Sequence, residues 1–193
     1  MKYDYSIEDI RSVNVRSLKG NNRLLMSSSM VAIFESFLKE NIGNEVVVVN
    51  TNIGMEVYYY AKNNYSTFIK ESLLLYTIKQ LDQSKLKFRN NLDREEVYQS
   101  FCEALQTFSR YPQLFLAYTK KFIHLKNKNE SSRFVIPILN NFFEETLKVL
   151  TETGKMPHHD KIKKAKNKYH QSDTHKMIVK KLISEILLKK HHN

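Results

Sequence analysis

The chain has only 4 glycines and 3 prolines among its 193 residues. Those two residue types supply the positive φ angles and fixed bends that tight turns use. A sheet built from successive hairpins calls for a turn signal roughly every 8–12 residues, and so few breakers do not provide one. The scarcity favours long helices, so the expected fold class is all-α. Hydrophobic residues make up 41% of the chain and aromatics 11%, enough for a sizeable core. The length fits one domain, or a small domain joined to a larger one.

Periodicity divides the chain. Residues 1–21 read as an N-terminal arm. Over 22–41, Val31, Phe34 and Leu38 recur at helical spacing, and Asn41-Ile42-Gly43-Asn44 stops the helix. The segment EVVVVNTNIGMEVYYY at 45–60 supports two readings. Its β-branched and aromatic runs around Asn52-Ile53-Gly54 read locally as a β-hairpin, and two short helices of a helix-turn-helix are the competing reading. From residue 65 the helical signal is clear. Asp93 is a good N-cap with Glu95 and Glu96 in the first turn; Val97, Phe101, Leu105 and Phe108 follow on one face, and Pro112 ends that helix. Further helices are expected over 113–126 and over 131–153, the latter stopped by Gly154. An amphipathic helix over about 173–190 closes the chain, with Ile178, Leu182, Ile183, Ile186 and Leu187 inside.

The net charge is +11, and residues 155–193 hold eleven lysines against three acidic residues, a net +8. Residues 22–75 carry a net −1. Such a basic tail suits nucleic acid, an acidic partner or an anionic membrane surface, and equally a solvated helix. The lone Cys102 excludes an internal disulfide, and its neighbours SFCEALQTF make it a small apolar helix residue. With a polar N-terminus and no apolar run long enough to cross a bilayer, the expectation is a cytoplasmic protein without a transmembrane segment.

No catalytic constellation stands out. Glycines at 20, 43, 54 and 154 make no phosphate loop, so the protein is expected not to be an enzyme and to need no cofactor. His158, His159, His170, His175, His191 and His192 crowd the tail without metal-ligand spacing, and no metal site is expected. The aromatic set Phe101, Phe108, Tyr111, Phe115, Tyr118 and Phe142 reads as bundle core or as the lining of a pocket for a small apolar or aromatic effector. Tyr58, Tyr59, Tyr60, Lys62, Asn63, Asn64 and Tyr65 stand ahead of a long helix with Lys70 in it. Tyrosine, lysine and asparagine are residue types that bond phosphates and base edges.

The stretch Tyr65-Ser66-Thr67-Phe68-Ile69-Lys70-Glu71-Ser72-Leu73-Leu74 resembles the end of the recognition helix and the start of the fourth helix in the TetR family of transcriptional regulators. MVAIFESFLKENIG is similar to that family's first helix and turn. LDREEVYQSFCEALQTFSRYPQLFLAYTKKF and ILNNFFEETLKVLTETGKMP are similar to its later helices. The resemblance covers about residues 22–157. It implies a helix-turn-helix head over 22–68, followed by a helical bundle over 69–193 for ligand binding and dimerisation. On that reading the protein is a ligand-responsive repressor, acting as a homodimer on a double-stranded DNA operator. Tyr58, Tyr59, Tyr60, Lys62, Asn63, Asn64, Tyr65 and Lys70 would face the DNA. The alternative is a helical interaction protein whose basic C-terminal tail binds RNA, an acidic partner or a membrane surface.

Overall fold

In the computed structural model, residues 9–17, 24–77 and 86–167 are described. Strand β1 (Asp9–Ser17) is followed by helix α1 (Ser28–Ile42), then by strands β2 (Val46–Thr51) and β3 (Gly54–Ala61). Helix α2 (Ser66–Thr77), strand β4 (Leu86–Asn91) and helices α3 (Arg94–Ser109), α4 (Pro112–Lys128) and α5 (Val135–Glu152) complete the order. A further helical segment covers 159–167. The amphipathic stretch expected at 173–190, the tail histidines His170, His175, His191 and His192, and residues 1–8 and 18–21 of the expected arm lie outside the described residues.

The four strands form one antiparallel sheet in the order β2-β3-β1-β4. The all-α expectation is thereby corrected: the fold is mixed α/β, and no helix-turn-helix occupies 45–60. The hairpin reading of that segment describes what forms there. Val46, Val47, Val48 and Val49 are each at most 2% exposed. In a strand their side chains alternate between the two faces, and helices cover both. Val46 and Val48 join Phe34, Leu38, Ile69 and Leu73 beneath α1 and α2. Val47 and Val49 join Phe101, Leu105, Phe122 and Phe143 beneath α3, α4 and α5. Burying a valine or phenylalanine side chain contributes roughly 1.5–3 kcal/mol each. A helix would spread four consecutive valines around its whole circumference, so the two-faced strand wins.

The N-terminal segment is also corrected. Asp9–Ser17 is no arm: it is an interior strand between β3 and β4, with Ile10, Val13 and Val15 fully buried. The sheet thus draws strands from the expected arm, from the expected head and from the expected C-terminal unit.

Edge strand β2 is covered. The Glu35 carboxylate of α1 accepts from the Val48 backbone N–H at 3.2 Å, and Asn50 Nδ2 donates to the Met26 carbonyl at 2.8 Å. Lys39 at 3.0 Å and Lys128 at 3.5 Å balance the Glu35 charge. Bonding an edge amide to a side chain removes part of the template on which another strand would pair.

The helices start and stop where local chemistry directs. Asp93 caps α3 by accepting from Glu96 N at 2.9 Å, and Pro112 opens α4. Gly154, at φ +65°, ends α5, with the Lys155 N–H on the Leu150 carbonyl at 2.8 Å. At the start of α5, Ser132 Oγ accepts from Ile136 N at 3.0 Å, but the N-cap residue Phe134 offers no side-chain cap. Glu45 supplies one from before β2, accepting from Ser132 Oγ and Arg133 N at 2.7 Å, Val135 N at 3.0 Å and Phe134 N at 3.1 Å.

Candidate anion-binding groove

Strand alternation and register place the polar residues. On β1, Ser12, Asn14 and Arg16 point toward α3, while Val13 and Val15 point toward α1 and α2. Each has cross-strand partners. Ser12 pairs with Tyr58 and Asn91, Asn14 with Glu56 and Arg89, and Arg16 with Lys87. The Asn91 Nδ2 to Ser12 Oγ bond at 2.7 Å ties β4 to β1, and the Asn14 Nδ2 to Ser100 Oγ bond at 3.0 Å ties β1 to α3. One end of this sheet face is therefore polar, while its other end is packed by the aromatic core of α3, α4 and α5.

Between that polar end and α3 lies a groove of about 270 Å³. Arg16, Lys87 and Arg89 line it from the sheet; Ser100, Glu103 and Thr107 line it from α3. Arg89 pairs with Glu103 at 3.5 Å in an exposed contact. Among the described residues Arg16 and Lys87 form no ion pair. Two adjacent cations with no carboxylate in direct contact, beside hydroxyl and amide groups, are suited to an anion.

Beside the groove a recess of about 10 Å³ lies among Asn14, Arg16, Thr51, Gly54, Glu56 and Phe108. Asn14 and Arg16 line both spaces. Asn14 Oδ1 is buried there without a hydrogen-bond partner. The Glu56 carboxylate accepts from Tyr118 Oη at 2.7 Å and from Tyr58 Oη at 3.1 Å, both on Oε2. Burial pushes the Glu56 carboxyl above the usual carboxylate range, against the two hydroxyls and the Arg16 charge, which pull it down. Burial and the neighbouring Glu56 charge hold both tyrosines well above the ordinary phenol value, so each keeps its proton and donates.

The residues expected to face DNA are dispersed. Tyr58 and Tyr59 are buried on opposite faces of β3, at 1% and 0% exposure. Tyr60 stacks on Phe134 with ring centroids 4.4 Å apart. Lys62, Asn63 and Asn64 are exposed in the connection to α2, and Asn64 Oδ1 accepts from Ser66 N at 2.9 Å and from Tyr59 Oη at 3.2 Å. Tyr65 packs edge-on to Tyr59, and the Lys70 ammonium lies 5.7 Å from the Phe88 ring centre. A strand period of two splits the tyrosines between the sheet's faces, so they offer no single reading surface.

The residues expected to line an effector pocket are mostly core. Phe101, Phe108, Phe115, Tyr118 and Phe142 are buried in the layer between the sheet and α3, α4 and α5, whereas Tyr111 is 61% exposed. Tyr118 alone among them joins the polar cluster, through its hydroxyl. Sequence reasoning missed Asn14, Arg16, Glu56, Lys87 and Arg89. For all but Glu56 the signal was the period-two patterns SVNVR and LKFRN, which lay in the expected arm and in the expected helical bundle.

Cys102 is half-buried and accepts from Thr146 Oγ1 at 3.1 Å; burial pushes its thiol up. Among the described residues no cluster of three His, Cys, Asp or Glu side chains is placed to hold a metal, and no helix is long and apolar enough to cross a membrane. No family model, no curated protein and no solved structure matches the chain, so the TetR resemblance has no support from known proteins.

Proposed function

We propose that the protein binds nucleic acid through its phosphates, with the groove between β1, β4 and α3 as a backbone contact. The observation that carries this reading is the cross-strand pair Arg16 and Lys87, with Arg89 one row away on the same sheet face. Phosphates are held by arginine, lysine, hydroxyl and amide donors, and Arg16, Lys87, Asn14 and Ser100 supply that set here. The groove is smaller than the roughly 300–1,000 Å³ of a drug-sized site. It suits a phosphate and part of what the phosphate is attached to. A chain charge of +11 favours a polyanion over an isolated small anion.

Nucleic acid is thus kept as the partner, and a recognition helix is not part of the reading. Contacts of this kind position a backbone without reading its sequence. The protein acts in this view as a binding module, with no step of covalent chemistry. Fluorescence anisotropy with a labelled 12-nucleotide single strand and a 12-base-pair duplex tests it. The double variant Arg16→Ala/Lys87→Ala should bind at least one of them several-fold more weakly than the wild type, with an unchanged thermal transition. Equal binding by the folded variant would overturn the reading.

A further inference from the structure

Arg16 lines both the groove and the recess that holds Glu56. We propose that Glu56 takes up a proton when a phosphate occupies the groove, so that ligand binding at this site is linked to pH through Arg16. The inference rests on the phosphate-binding reading of the groove.

The groups acting on Glu56 come from each element around it. Tyr58 is on its own strand, Tyr118 is on α4, and Arg16 is on β1. Both tyrosine hydroxyls are neutral donors already committed to the carboxylate. Arg16 is therefore the positive charge that favours the ionised form. A phosphate engaging the Arg16 guanidinium draws on that charge and sets new negative charge near the carboxylate. Both effects favour the neutral acid. Linkage is reciprocal: if the phosphate favours protonation, protonation favours the phosphate by the same factor. The sign follows. Glu56 titrates higher with the groove filled than with it empty. Affinity therefore rises as pH falls through the filled-state and then the empty-state titration, and levels off below both.

The test uses the full chain and a 12-nucleotide strand without terminal phosphates, whose diesters do not titrate between pH 5 and 8. Affinities are measured at pH 5, 6, 7 and 8, with calorimetry in two buffers of different ionisation enthalpy to count protons. The informative comparison is between the wild type and Glu56→Gln, which differ in no other ionisable group. The wild type is expected to gain roughly 5-fold more affinity on acidification than Glu56→Gln, at the low end of couplings between linked sites. It should also take up a proton that the variant does not. Identical pH dependence and proton counts in the two proteins would overturn the coupling, provided Arg16→Ala still weakens binding. If Arg16→Ala leaves binding intact, the groove reading itself fails. Should Glu56→Gln fold poorly, Tyr118→Phe serves instead: it moves the pH at which affinity changes upward, and an unmoved profile counts against the coupling.

Discussion

Tyr118 Oη donates to Glu56 Oε2 at 2.7 Å, joining α4 to β3 across 62 residues of sequence. This bond sits where the aromatic core gives way to the polar end of the sheet. It explains how a carboxylate is tolerated there, since an enclosed acceptor without donors costs several kcal/mol.

Tyr118→Phe should therefore destabilise the fold by about 1.5–3 kcal/mol where Glu56 is ionised, the range for a hydrogen bond to a charged group. The loss should shrink in acid. Glu56 titrates above the usual carboxylate range, so its contribution to stability is fully present below the unfolded-state value and is lost as pH rises through the folded-state value. Removing a donor to the ionised form matters only where that form exists. Urea denaturation at pH 4.5 and pH 7.5 checks this, and an equal loss at both would contradict it.

Glu45 behaves in the opposite sense. Burial raises its carboxyl, yet the hydrogen bonds from Val135 N, Arg133 N, Ser132 Oγ and Phe134 N outweigh burial and leave it below the ordinary value. Its stabilisation is present above the unfolded-state pKa of about 4.3 and is lost as pH falls through the lower folded-state value. Glu45→Ala should cost about 1–2 kcal/mol at pH 7, as loss of an N-cap does. The gap between wild type and variant should close on acidification, as read by thermal unfolding from pH 7 to pH 3.

Gly54→Ala tests the register of β1 against β3. A Cβ at Gly54 would collide with the Val15 carbonyl oxygen, a backbone atom that cannot swing away. The strands would have to part beside the paired Val15 and Met55. A loss on the order of 3 kcal/mol is expected, with faster hydrogen exchange at the β1–β3 amides. A variant as stable as the wild type would show that the two strands are not so closely apposed.

The scarcity of glycine and proline pointed away from a sheet for a physical reason that did not apply. Only β2 and β3 are joined by a tight turn, Asn52-Ile53. Helix α1 lies between β1 and β2, and helix α2 between β3 and β4, so each of the four strands is joined to a helix at one end or both and needs few breakers. The valine run was ambiguous because a strand covered on both faces loses the polar alternation that marks a half-buried one. The capped helices were legible: Asp93, Pro112 and Gly154 act locally, and each does in the fold what its chemistry dictates in the sequence.

The groove was not legible, because none of its determinants is local. Asn14 and Arg16 acquire meaning only when β1 pairs with β4, and Glu56 only when Tyr118 arrives from α4. Arg11 shows the same dependence. A charged residue at 4% exposure has no sequence signature, and it is held by donating to the Ala61 carbonyl across the sheet.

The salt dependence of nucleic-acid binding tests the groove most directly. Each phosphate contact contributes roughly 0.7–0.9 to the slope of log affinity against log salt. Replacing Arg16 and Lys87 by alanine should lower the magnitude of that slope by about 1.5 in the full chain, whatever the basic tail contributes to both proteins. A variant with the wild-type slope and affinity, and an intact fold, would contradict the assignment of the groove as a phosphate site.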